Sequence, residues 1–249
     1  MRIQTAISSL ALAALAANAA AASTDPVPAN GTLAGKVVFH GEATAIPKLA
    51  KLDMASKPEH AAHCLAASDT SERGMLVDKA SLGIANVFVE IRKVNKDEWD
   101  PKGVVLQHAD QDHCRFEPHV LVVPVGADVK FANSDPFMHN VHFYAKKNPA
   151  ANFGIPEKGE KIVAFKADEK VRVKCDVHPW MDSWVVVTSN PFHALTGPDG
   201  SYSIPNVPPG TYEVRYWHET LGSLKVKDVV IGEGPTNLDV QHDNGDWKA

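Results

Sequence analysis

Cysteine is scarce in this chain: three residues among 249, and an odd number. Basic charge is scarce too, with 25 Lys and Arg against 30 Asp and Glu, a net charge of −5 and no basic run. A mildly acidic chain of this kind is a poor binder of nucleic acid or of an anionic membrane surface. Beyond the first two dozen residues, no apolar stretch is long enough to span a bilayer. Helical periodicity is weak and confined to the region from Pro47 to Cys64. Several catalytic signatures are missing: a C-x-x-C-H haem attachment motif, a C-x3-C pair for a dinuclear copper centre, a Gly-rich phosphate loop and a nucleophile elbow. No internal repeat stands out, and the only low-complexity tract is the Ala-rich start.

That start has the layout of a secretory signal. Met1-Arg2 gives a short positive beginning, Ala6 to Ala17 a mostly apolar run, and Asn18 to Ser23 small residues with A-x-A cleavage sites after Ala19 or Ala22. The apolar run is too short for a membrane anchor. Residues 1–22 are therefore expected to be a signal peptide, the protein to be exported to the periplasm or secreted, and no membrane span to remain after cleavage. About 227 residues are left, enough for two small domains or one large β domain. Ser23 to Gly31 forms a leader before the first strand-like run. In an oxidising compartment two of the three cysteines can pair. Cys175 sits in a ligand-like spacing, so Cys64 and Cys114 are the disulfide candidates, although sequence alone does not show that they meet.

Short strand-like runs dominate the rest. Lys36 to Phe39, Asn86 to Ile91, Val104 to Leu106, His119 to Val125, Val129 to Phe131, Lys161 to Phe165, Val171 to Cys175, Trp184 to Thr188, Tyr212 to Trp217 and Leu224 to Ile231 are rich in β-branched and aromatic residues. Gly, Pro, Asn and Asp punctuate them at the intervals of sandwiches and barrels, which predicts an all-β fold. Gly197-Pro198-Asp199-Gly200 and Pro208-Pro209-Gly210 have strong turn chemistry, with proline presetting one dihedral and glycine supplying positive φ. Tyr144 to Gly159, with Pro149, Pro156 and two glycines, reads as a long loop.

The sharpest motif is Cys175-Asp176-Val177-His178-Pro179-Trp180-Met181, a C-x2-H-x2-M spacing at the end of a strand. A thiolate, an imidazole and a thioether within seven residues can all point inward only if the chain turns tightly, and Pro179 favours that turn. Copper suits two His and one Cys in a trigonal plane with a weak axial Met. The second histidine has to come from elsewhere, and the segment Asn133 to Phe143 offers both His139 and His142. His119, His193, His218, His60 and His63 are expected to be solvated or hydrogen-bonded. The spacing His60-x2-His63-Cys64 would suit zinc only with a fourth partner that the sequence does not supply.

Three stretches carry a family resemblance. Phe116-Glu117-Pro118, Val125 to Asn133 and His139-Asn140-Val141 resemble the plastocyanin and pseudoazurin pattern, and Cys175 to Met181 resembles the short ligand loop of amicyanin. The likeness covers roughly Val104 to Ser189 and implies a Greek-key cupredoxin β-sandwich over 104–190. It also implies one type 1 copper ion held by His139, Cys175, His178 and Met181, with Asn140 tying the two ligand loops together. Strand alternation then turns His142 away from His139. Pro136, Phe137, Met138, Pro179 and Trp180 are expected to form an apolar rim around His178 for a transient redox partner, a cytochrome or an oxidase.

A second resemblance lies in Thr196 to Tyr212, which is similar to a carboxypeptidase regulatory-like β-sandwich, with Gly35-Lys36-Val37 and Asn86 to Val89 as its earlier strands. This implies a second, smaller sandwich from residues 32–95 and 191–245 with the copper domain inserted; three consecutive units are the alternative. The motif marks a fold and implies no peptidase. Protein would fill all four positions on the metal, leaving no open place for substrate. The expectation is thus a one-electron carrier between periplasmic partners and not an enzyme. Its rivals are a copper carrier or scavenger without a redox role, and a structural sandwich stabilised by copper.

Overall fold

The computed structural model describes residues 30–42, 51–67, 72–94, 106–242 and 247–248. The expected signal peptide, residues 1–22, lies outside the described residues, as do Val104 and Val105. No described helix is long and apolar enough to cross a membrane. Strands follow one another almost without interruption: β1 (Gly31–Phe39), β2 (Phe88–Arg92), β3 (Gln107–Asp112), β4 (Arg115–Glu117), β5 (Val120–Pro124), β6 (Asp128–Ala132), β7 (His139–Tyr144), β8 (Ala151–Ile155) and β9 (Glu160–Ala164). They continue as β10 (Glu169–Lys174), β11 (Asp182–Thr188), β12 (His193–Leu195), β13 (Ser201–Val207), β14 (Gly210–His218), β15 (Gly222–Ile231), β16 (Gly234–Asn237) and β17 (Val240–His242). Among the described residues, the helical content is two 3-10 turns, Met54–Ser56 and Pro58–His60, running into one α-helical turn, α1 (Ala61–Cys64). The fold is all-β.

Four sheets enclose two main cores. Sheet β5-β11-β10-β7-β8 and sheet β4-β3-β6-β9 share a core that includes Phe116, Val129, Phe131, Val141, Phe143, Val173 and Val185. Sheet β12-β2-β14-β15 and the sheet of β13, β1, β16 and β17 share another, with Leu33, Val37, Ile91, Ile204, Val214 and Tyr216. A smaller cluster of Phe88, Val120 and Val186 lies between them. Period-two alternation explains why β11 feeds two cores: Val185 and Val187 point into the first, Val186 into the joint. A strand apolar on both faces is what its unbroken Val-Val-Val run dictates. The joint is also polar, because Glu219 bonds both His119 and the Trp184 indole N–H, the latter at 2.8 Å.

Two sequence expectations change. The stretch Tyr144 to Gly159 contains an edge strand, β8, paired antiparallel to β7 from His139↔Ile155 to Phe143↔Ala151. Its residues Ala-Asn-Phe-Gly-Ile lack the β-branched density that marks a strand, so backbone pairing to β7 decides its conformation. The polar strand β3, Gln-His-Ala-Asp-Gln-Asp, is likewise held by its neighbours, antiparallel to β4 and parallel to β6.

Candidate metal centre

The ligand loop forms because β10 and β11 pair from Glu169↔Val187 to Lys174↔Asp182, leaving Cys175 to Met181 to reverse the chain. Two backbone bonds close the turn: the Cys175 N–H donates to the Met181 carbonyl at 3.2 Å, and the Met181 N–H to the His178 carbonyl at 2.9 Å. Cys175 and His178 consequently face each other, Sγ to Nδ1, at 3.8 Å. His139 arrives from the first position of β7, which pairs with β10 from Arg172↔Tyr144 to Lys174↔His142, the residue before the cysteine. Its Nδ1 is also 3.8 Å from the Cys175 sulfur. The exposed fractions are 0% for His139, 0% for His178 and 1% for Cys175, so the three-donor cluster is closed to solvent.

These spacings can be tested against a metal ion. An ion about 2.3 Å from sulfur and about 2.0 Å from nitrogen, at trigonal angles, sets the two donors about 3.7 Å apart. Tetrahedral angles would bring them to about 3.5 Å. The observed 3.8 Å pairs leave room for such an ion between the donors. Soft thiolate with two imidazoles is a copper-type donor set. Met181 is buried in the same core and anchored by its backbone to both loop ligands.

Surrounding groups orient each donor. Asn140 lies just after His139, and its Oδ1 accepts the Asp176 N–H at 2.7 Å and the Cys175 thiol at 3.2 Å, joining β7 to the ligand loop. Its Nδ2 donates to Asn152 and Asp176. His142 points away from the cluster: its ring stacks on Tyr144 and its Nδ1 sits 3.1 Å from the exposed Asp176 carboxylate. Of the expected apolar rim, Pro136, Met138 and Pro179 are exposed, whereas Phe137 and Trp180 are half-buried.

Three further residues hold the donors, and none of them was placed at this cluster from sequence. Asp135, fully buried, receives His139 Nε2 at 2.7 Å, His63 Nε2 at 2.6 Å and the backbone N–H groups of His113 and Cys114. Burial alone would raise its carboxyl, but the bonds from His139 and His63 hold it down at about 2. The same burial pulls His139 down, and the Asp135 and Cys175 interactions reverse this, leaving its imidazole above the ordinary value. His178 has no such carboxylate; burial first, then charge on His139 and His60, lowers it to about 3. The other two neighbours are His60 and His63, hydrogen-bonded side chains whose partners the sequence did not identify. His60 Nδ1 lies 2.8 Å from His178 Nε2. An Asp four residues before the loop histidine was the available signal for Asp135; for the other two it was the adjacency of His63 to a disulfide cysteine.

Cys64 and Cys114 are joined, which leaves Cys175 as the free thiol among the three. A second donor group, His63, Asp112 and His113, lies on the flank of the centre. Its atoms are spent on one another and on Asp135: His113 Nδ1 meets Asp112 at 2.9 Å, and its ring stacks on His63.

Comparison with known proteins adds the following. No family profile matches the chain, and neither does any curated protein. Among solved structures it is similar to a copper-containing nitrite reductase from Thermus scotoductus SA-01, at 20% identity over 34% of this chain with a TM-score of 0.32. The match spans 22% of the reductase. It is similar to a purple cupredoxin from Nitrosopumilus maritimus, at 19% identity over 33% of this chain and 99% of that one, TM-score 0.30. An amicyanin variant with Cu(I) matches at 23% identity over 40% of this chain and 98% of the other, TM-score 0.31.

Proposed function

We propose that the protein is an exported copper protein of cupredoxin type, a one-electron carrier whose single copper ion is held by His139, Cys175 and His178 with Met181 as the axial group. The observation that carries this reading is the closed triangle of one sulfur and two imidazole nitrogens, with 3.8 Å edges from the sulfur. When bound there, copper supplies a one-electron step between Cu(I) and Cu(II). The chain's own residues hold the donors still: the Cys175–Met181 backbone bond shapes the loop, Asp135 orients His139, and Asn140 ties the loop to β7. A scaffold fixed before metal arrives needs little rearrangement when the charge on the ion changes, which is what fast electron exchange requires.

Complete burial of the donors favours retention of the ion over handing it to an acceptor, so electron transfer is preferred to copper delivery. The Cys64–Cys114 disulfide supports an oxidising compartment, periplasmic or extracellular. We divide the chain into a copper domain over 104–190 inserted in a sandwich of residues 32–95 and 191–245, a division supported by the two main cores except at Met54 to Cys64, which pack on the copper side. The partner is proposed to be a periplasmic cytochrome or oxidase met by transient contact.

Adding Cu(II) to the purified protein tests the reading. The expected result is an intense visible thiolate-to-copper charge-transfer band, narrow copper hyperfine splitting and a reversible potential. Colourless copper binding would sink it. Met181→Leu is expected to keep the band and shift the potential; an unchanged potential removes Met181 from the ligand set.

A further inference from the structure

The spacing His60-x2-His63-Cys64 has no part in the donor triangle, yet the fold lays it across the outer side of that triangle. Residues Met54 to Cys64 form a strap of two 3-10 turns and α1, pinned at its end by the Cys64–Cys114 bond. From the strap, His60 stacks on Phe137 with ring centroids 3.8 Å apart and planes 5° from parallel. Its Nδ1 reaches His178 Nε2 at 2.8 Å. His63 Nε2 reaches Asp135 at 2.6 Å, and the other oxygen of Asp135 reaches His139 Nε2 at 2.7 Å. The outer nitrogen of each donor imidazole is thus held by the strap, once directly and once through a carboxylate.

The consequence follows from imidazole chemistry. A neutral ring that offers Nδ1 to a metal carries its proton on Nε2. An acceptor at Nε2 fixes that tautomer and the ring's rotation, the arrangement usually made by a carboxylate, a carbonyl or water. Asp135 serves His139 in this way. For His178 the acceptor is a second imidazole, and that imidazole is itself clamped flat against Phe137. His178 is fully buried while the His60 ring in contact with it is half-buried, so His60 covers His178 on that side.

We propose that His60 is a positioning residue of the metal centre: it holds His178 in the Nδ1-donating tautomer and shuts the His178 side of the site, with the disulfide-pinned strap as its support. This rests on the metal reading above, but one arm of its test does not. His60→Leu keeps an apolar group on Phe137 and removes the acceptor; His60→Gln restores an acceptor oxygen on a side chain of similar reach. In the metal-free protein, diethyl pyrocarbonate labelling mapped by mass spectrometry should leave His178 slow to react in the wild type and in His60→Gln, and fast in His60→Leu. In the copper-loaded protein, added azide should leave the wild-type visible band unchanged and perturb that of His60→Leu, whose copper affinity should fall about 10-fold to 100-fold. His60→Gln should recover most of both. Equal labelling of His178 in wild type and His60→Leu overturns the proposal. So does an azide-insensitive His60→Leu band of wild-type affinity. A wild type that gives no charge-transfer band sinks the electron-carrier reading instead, and the labelling arm still decides the role of His60.

Discussion

The two cores bury polar groups in opposite ways. In the core of β1, β2 and β12–β17, each buried hydroxyl is spent on a partner in contact: Tyr202 and Tyr216 share a bond of 2.8 Å, Tyr202 also reaches the Leu238 carbonyl at 2.6 Å, and Thr196 bonds the Ile84 carbonyl at 2.7 Å. In the core of β3–β11, the Cys175 sulfur faces the Nδ1 atoms of His139 and His178 across 3.8 Å gaps, too long for strong hydrogen bonds. Only their outer sides are satisfied, through Asp135, His60 and Asn140. Buried polar atoms held apart are costly unless something occupies the space between them. One core pairs its buried hydroxyls within the folded chain, with the Trp247 indole N–H beside it left unpartnered; the other holds the donor cluster that we propose takes a metal ion.

The largest effect expected from this contrast is on colour. Cys175→Ser should abolish the visible copper band outright, while hydrogen exchange in β1, β13 and β14 stays at its wild-type rate; a band that survives in the variant breaks the contrast. Leu33→Ala, in the other core, should do the reverse. It should cost about 2–5 kcal/mol in denaturant unfolding and leave the band where it was.

Acid should separate the cores next. His178 in the folded protein titrates near 3 against an ordinary 6.5, so the stability from its neutral ring is full above pH 6.5 and is lost as pH falls toward about 3. Asp135 is depressed from 3.8 to about 2, so its contribution is full above pH 3.8 and is lost as pH falls toward about 2. His139, raised, works against this, because its contribution is present in acid and lost as pH rises through its folded value. The metal-free protein should therefore lose protection in β7 and β10 before β1 and β13, which carry no histidine, as pH drops from 6.5 to about 3; β14 is left out of the comparison because burial lowers its own His218 to about 4. Uniform loss across both cores would contradict it. The smallest effect belongs to Tyr216→Phe. Tyr202 keeps its bond to Leu238, so the cost should be about 1 kcal/mol with no change in copper binding.

The donor cluster was partly legible because part of its spacing is local. Cys175, His178 and Met181 fall within one tight turn, which by itself brings a thiol, an imidazole and a thioether together. The Cys64–Cys114 pairing followed from parity: three cysteines, with one already claimed. Most strands followed from β-branched density, whereas β3 and β8 escaped notice because polar or Gly-containing residues become strands only when a neighbour supplies the hydrogen bonds. Asp135 escaped because an Asp in a loop between strands looks like turn chemistry, and its burial depends on contacts with His63, Cys114 and His139, up to 72 residues away in sequence.

By itself, then, the sequence determined the all-β class and the loop that carries Cys175, His178 and Met181, since strand propensity and loop spacing are properties of neighbouring residues. Only the tertiary structure decided that His60, 118 residues before His178, meets its outer nitrogen, and that Asp135 joins His63 to His139. Pairings at that range are set by how sheets stack and where a disulfide pins a strap, and no local pattern encodes them.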